Sequence, residues 1–351
     1  MVMAGEKWSK EQAAQARAAR VEAAQQVLAD AVANLRSGED WTRFLDFQSR
    51  LYDYSANNVL LIVAQHQQLH EAGKVPTAFP SYVASYRKWQ ELGRQVECGQ
   101  TGLAIIAPMR GVSRVATDKD GTVLRVLRGD DKPGPGEHEA RQPWMRGFTV
   151  EKVFSAEQTT GDTVPAPPAP QLLAGEAPRG LGEAVLKMIE SRGFTVSTVP
   201  AASYVQGANG LTVFPAKTVQ VRADMDDAAM VKTLIHEAAH VLLHNPDEAK
   251  TPPLPPSHRE VEAESVAFVV ARAHGMPTDD YSFPYVAGWA GDDPDKVIAK
   301  TAQRVAATAK DIIAISPAEH GHGGKAALRL APPAADVAPA LADHSPAGIG
   351  A

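Results

Sequence analysis

A single cysteine, Cys98, in 351 residues excludes an intrachain disulfide. Long apolar runs are also missing. Stretches such as Leu60-Leu61-Ile62-Val63-Ala64 and Val266-Ala267-Phe268-Val269-Val270 fall far short of the roughly 20 residues that a membrane helix needs, so no membrane partner is expected. Met1 to Leu35 is polar and alanine-rich, without a charged n-region leading into an apolar h-region, and a cytoplasmic location is expected. Aromatic residues make up only 6%, and neither sign of charge dominates, with 35 Lys+Arg against 41 Asp+Glu. The 44% of hydrophobic residues nevertheless suffices for two ordinary cores. The charge is uneven: residues 1–155 hold 20 basic and 18 acidic side chains, residues 156–351 hold 15 and 23.

Patterning predicts an α+β chain with two domains and a disordered tail. Residues 1–155 form the first, with helices over 8–37, 41–54, 59–69 and 81–92 and a small sheet from strands near 103–108, 121–127 and 148–154. Residues 130–142, with Pro133-Gly134-Pro135-Gly136, are expected to be a loop. Residues 156–178 are a linker stiffened by Pro165-Ala166-Pro167-Pro168-Ala169-Pro170. The second domain, 179–315, opens with a helix near 181–191 and strands near 195–199, 211–214 and 219–222. Helices over 224–244, 257–274 and 295–313 follow, and 316–351 is the tail.

The helix over 224–244 carries His236-Glu237-Ala238-Ala239-His240. At 3.6 residues per turn both histidines project from one face and can hold one metal ion, with Glu237 close by. The next helix offers three carboxylates within five residues, Glu260, Glu262 and Glu264; the first and third share a face, and Glu262 points away from them. Two imidazoles and one carboxylate leave a tetrahedral zinc site, or one for another divalent metal, with a position open for water. Glu237 is then placed to take a proton from water and pass it to a leaving amine, the chemistry of amide hydrolysis. His244 and His258 are assigned structural roles, and Tyr281 and Tyr285 aromatic packing.

In the first domain Tyr82, Tyr86 and Trp89 fall on one helix face beside Arg87, Lys88 and Arg94. Rings that stack on unpaired bases, interleaved with cations that meet phosphate, are what single-stranded nucleic acid requires. A core role for the rings with a solvated cationic edge is the competing assignment.

These two motif sets resemble one family. Leu234 to His244, followed by Arg259-Glu260-Val261-Glu262-Ala263-Glu264-Ser265-Val266-Ala267-Phe268, resembles the zincin-like metallopeptidase domain of ArdC-type antirestriction proteins and, more distantly, the ImmA/IrrE peptidases. Asn57-Asn58-Val59-Leu60-Leu61, Tyr86 to Val96, Gly99-Gln100-Thr101-Gly102 and Val153 to Thr159 resemble the ArdC N-terminal single-stranded-DNA-binding domain. The resemblance implies His236, His240 and Glu260 as zinc ligands, Glu237 as catalytic residue, and Glu264 as the partner of a ligating histidine or the alternative third ligand. It implies Tyr86, Arg87, Lys88, Trp89 and Arg94 at the nucleic-acid site, single-stranded DNA and a protein substrate of unknown identity as partners, and protection of incoming mobile-element DNA as the role. Two alternatives stand beside it: an ImmA/IrrE-like peptidase cleaving a regulatory protein, and a DNA-binding module whose metal is structural.

Overall fold

A computed structural model describes residues 9–163, 175–248, 253–279, 281, 283 and 293–317. Most of the expected linker and nearly all of the expected disordered tail lie outside them. The chain divides into two compact units, one built from 1–31 and 60–164, the other from 32–59 and 165–351.

The first unit contains most of α1 (Lys10–Ala33) and α3 (Ala56–Glu71), then β1 (Val83–Ser85), α4 (Tyr86–Glu91), β2 (Arg94–Val96), β3 (Leu103–Thr117), β4 (Val123–Leu127), β5 (His138–Ser155) and β6 (Thr159–Gly161). The main sheet has the order β1-β5-β3-β4, and β2 pairs with β6. The helix expected over 81–92 is only six residues long, because 83–85 pair with 153–155 as a strand and Gly93, at φ +70°, turns the chain into β2. The expected strands near 103–108 and 148–154 belong to an antiparallel pair of fifteen and eighteen residues that runs into the expected loop at 138–142. Its base buries Leu103, Ile105 and Val153. Its middle, around 108–112 and 141–146, is largely in solvent, and Val115, Ala116 and Thr117 at its far end are buried again.

The second unit contains α2 (Gly38–Arg50), α5 (Leu181–Ser191), β7 (Thr195–Val199), β8 (Gly210–Val213), β9 (Thr218–Arg222), α6 (Asp227–His244), α7 (Pro256–Ala273) and α8 (Pro294–Ile315). Division of the chain at Ser155 assigned 32–59 to the front domain. In the structure this segment counts with the second unit, because Trp41 is fully buried, its indole N–H donates to Ser265 Oγ on α7 at 2.9 Å, and Arg272 pairs with Asp46 at 2.8 Å. The sheet order is β7-β9-β8, with β7 parallel and β8 antiparallel to the central β9, so β8 is an edge. No Pro or Gly interrupts α6, and the Asp226 side chain accepts the Ala229 N–H at 2.8 Å as its N-cap.

Candidate metal centre and nucleic-acid interface

The one-turn spacing on α6 brings His236 Nε2 and His240 Nε2 to 3.1 Å from each other. From α7, Glu260 approaches both, with Oε2 3.3 Å from His236 Nε2 and Oε1 3.4 Å from His240 Nε2. A tetrahedral zinc ion with bonds of about 2.0–2.1 Å separates its ligand atoms by about 3.3 Å. The two nitrogens stand near that spacing, each faces a different oxygen of the Glu260 carboxylate, and one atom from each of the three residues lies within 4.8 Å of the others, so a divalent cation fits between them.

Glu264, one turn further along α7, contacts the other nitrogen, His236 Nδ1, at 3.0 Å. Burial disfavours a charged His236, but contacts with Glu260 and Glu264 and the nearby Glu237 outweigh it and push its pKa up to about 10. The His236 and His240 contacts hold the Glu260 carboxyl well below the usual range, against the opposing effect of burial.

Glu237 is buried, and its Oε2 accepts the Thr212 hydroxyl proton at 2.6 Å. A β-carbon at Gly210 would fall 2.7 Å from Glu237 Oε1 and 2.8 Å from Thr233 Cγ2, so glycine is what lets β8 lie against the α6 carboxylate. The cleft in front, about 800 Å³, is lined by Gly210, Thr212, His236, Glu237, Glu260 and Tyr281 among others. Tyr281 packs edge-on against Phe268 at 5.6 Å, with Lys232 Nζ 5.6 Å from its ring centroid; Tyr285 lies outside the described residues.

Behind His240 stands a second set of polar groups that sequence reasoning did not connect to the site. His240 Nδ1 lies 3.0 Å from His244 Nδ1, and His244 Nε2 lies 3.0 Å from Glu262 Oε2. Arg304 on α8 reaches Glu262 through Nε at 2.9 Å and donates to the Leu243 carbonyl at 2.9 Å. His244, assigned a structural role from the sequence, lies one turn beyond His240; Arg304, sixty residues away, was not legible. Thr212 was missed for the same reason. His258 keeps the expected structural role, 2.7 Å from Thr301 Oγ1 in the core.

The nucleic-acid residues divide. Trp89 is fully buried and its indole N–H donates to the Phe154 carbonyl at 2.9 Å, so it cannot stack on a base; it is a core residue. Arg94 donates to Thr159 Oγ1 and the Thr159 carbonyl, both at 2.8 Å, and to the carbonyls of Gly161 and Asp162, so its guanidinium clamps β2 to β6 instead of meeting phosphate. Tyr86, Arg87 and Lys88 are exposed on α4, the two cations beside Glu91 at 3.3 and 3.4 Å.

A larger exposed surface lies on the outer β3–β5 pair. Pro108, Arg110 and Val112 sit opposite Phe148, Met145 and Pro143, and Arg114 sits opposite Arg141, which places all eight on one face. Arg114 is tied to Glu139, whereas no described carboxylate is in ion-pair contact with Arg110, Arg141 or Arg146. Residues 103–117 and 140–150 contain four arginines and no acid. On the opposite face the Trp144 indole lies against Gly111, where a β-carbon would come within 2.6 Å of it.

Comparison with known proteins gives similarities at the level of a domain family, a relative in sequence and solved structures. Residues 17–150 match the family model described as the N-terminal domain of anti-restriction factor ArdC. The chain is 23% identical over 303 residues to an uncharacterized Bacillus anthracis protein, pXO2-81, covering 82% of this chain and 49% of that protein, so it spans about half the length of this relative. Among solved structures it is similar to the antirestriction ArdC protein from R388 plasmid in its metal-free form (19% identity, 74% of this chain and 85% of that one, TM-score 0.39). It is likewise similar to the Mn(II)-bound form of that protein (18% identity, 75% and 83%, TM-score 0.39). Residues 17–150 thus belong to the family of ArdC N-terminal domains.

Proposed function

We propose that this chain is a single-stranded-DNA-binding antirestriction protein whose second unit is a zincin-like, metal-dependent peptidase centre acting on a protein held near the DNA. The observation that carries the proposal is that His236 Nε2, His240 Nε2 and a Glu260 carboxylate oxygen all lie within 4.8 Å of one another, in a cleft that also holds Glu237.

When bound there, a divalent cation, zinc by the fit of the donors, supplies Lewis acidity toward a carbonyl and eases the ionisation of water. Glu237, facing the cleft, takes the proton from the attacking water and returns it to the departing amine. The Thr212 hydroxyl fixes which carboxylate oxygen of Glu237 is free for that exchange, since Oε2 is already engaged. The open edge of β8 borders the cleft and can receive an extended peptide by strand addition, with backbone hydrogen bonds holding the scissile carbonyl in place. A purely structural metal needs neither Glu237 nor an edge strand beside it, which favours catalysis.

For the DNA the family match and the β3–β5 surface support the same partner. Arg110 and Arg141, in no ion pair among the described residues, around Phe148 and neighbouring apolar side chains, suit a phosphate backbone with unpaired bases and provide no sequence readout.

Glu237→Gln tests the peptidase assignment. Zinc content and ssDNA affinity are expected to stay at the wild-type level while hydrolysis of the protein substrate, or of a denatured casein probe, falls about 10²–10⁴-fold. Unchanged hydrolysis in a zinc-loaded Glu237→Gln protein overturns it.

A further inference from the structure

The hydrolytic centre proposed above uses His240 only through Nε2, yet its other nitrogen is engaged in a buried chain. Glu262 is almost wholly buried and sits against Arg304, so its carboxylate is ionised and can only accept hydrogen bonds. His244 Nε2, 3.0 Å from it, must therefore be the donor. With its single ring proton committed to Glu262, a neutral His244 offers a lone pair at Nδ1. That lone pair faces His240 Nδ1 at 3.0 Å, and the only way to make a hydrogen bond is for His240 to carry its proton there. The proton's location at Nδ1 leaves the His240 Nε2 lone pair directed at His236 and Glu260. On the other side Glu264 does the same for His236 from a partly exposed position.

We infer that His244, oriented by Glu262 and Arg304, is a positioning residue that fixes the His240 tautomer and thereby sets the affinity of the centre for a divalent cation. The inference rests on the metal-centre proposal. Its reach is longer than an ordinary histidine–carboxylate pair: a second imidazole is inserted, and the orientation of one ligand on α6 is tied to α7 through Glu262 and to α8 through Arg304.

The test uses the full chain, with zinc alone as probe, in competition with a chromophoric chelator. His244→Ala is expected to weaken zinc binding about 10–100-fold. His244→Gln should recover most of that loss, because its amide oxygen can accept from His240 while its NH₂ donates to Glu262. Imidazole ¹⁵N spectra of the metal-free, ¹⁵N-histidine-labelled protein read the tautomer directly: His240 protonated at Nδ1 in the wild type and in His244→Gln, and shifted toward Nε2 in His244→Ala. A purely structural role predicts lower thermal stability in both variants with zinc affinity and tautomer unchanged, and that result overturns the inference. So does a wild-type His240 protonated at Nε2, a measurement that needs no variant to fold. Absence of zinc binding in the wild type strikes instead at the metal-centre proposal, and the spectra still decide the tautomer.

Discussion

The His236–His240 pair on α6 and the cluster of Tyr86 and Trp89 on α4 with Arg94 on β2 look equally orderly in sequence, yet only the first keeps its members together in a usable arrangement. The difference lies in what each pattern depends on. Two histidines four apart on an eighteen-residue helix share a face by covalent and hydrogen-bond geometry alone. Whether an aromatic ring faces solvent depends on what packs against it, and on a six-residue helix next to a sheet the largest ring, Trp89, becomes the core of that region, beside Ala84, Ala156 and Tyr82. Motifs held by the period of a helix survive the passage to structure; those that need exposure do not.

The comparison can be broken most sharply at the proposed metal ligands. His236→Ala is expected to weaken zinc binding about 100-fold or more while the first unit keeps its ssDNA affinity, as checked by chelator competition alongside a DNA titration. Retention of tight stoichiometric zinc would mean that the ligand set is wrong. Trp89→Ala, by contrast, should behave as a core truncation: about 3–5 kcal/mol lost from the first unit in urea unfolding, with any loss of DNA binding tracking the unfolded fraction.

The β3–β5 surface sharpens the comparison further. Replacing Arg110 and Arg141 together by alanine is expected to reduce ssDNA affinity about tenfold at low salt and to flatten the log–log salt slope by about 1.4, two phosphate contacts at roughly 0.7 each. An unchanged slope removes this surface from the interface, whereas a matching change in Arg87→Ala/Lys88→Ala returns the interface to α4.

The smallest effect expected concerns pH in the first unit. Burial would raise the Glu157 pKa, but contacts with His66 and Ser81 prevail and bring it down to about 2 from an ordinary value of 4.5. The folded chain then binds fewer protons than the unfolded one between these values. The resulting stability is fully present above pH 4.5 and is lost as pH falls toward 2. Glu157→Gln should remove on the order of 1 kcal/mol at pH 7 and flatten the acid limb of the urea-midpoint profile.

Much of the second unit was legible because its signals are local. The helix at 181–191 and the strand at 195–199 fall where the periodicity put them, and α6 starts at an Asp cap followed by an uninterrupted run. The long β3–β5 pair was not. On β5 residues 141–146 are all exposed, so the inside–outside alternation that marks a strand is absent there. It also carries Pro108 and Pro143, which are tolerated because β4 pairs only with 114–117 and β1 only with 153–155, leaving one edge open at each proline. At the metal centre, contacts within one helix turn were readable. The Arg304, Glu262 and Thr212 contacts depend on the packing of separate elements, which no local pattern encodes.

X-ray absorption of the zinc-loaded full chain tests the central claim most directly. The account predicts one zinc per chain, with a first shell of two imidazole nitrogens and oxygen ligands at about 2.0–2.1 Å and multiple-scattering features of two histidines. A first shell without two histidines, or zinc bound only in sub-stoichiometric amounts, would contradict it.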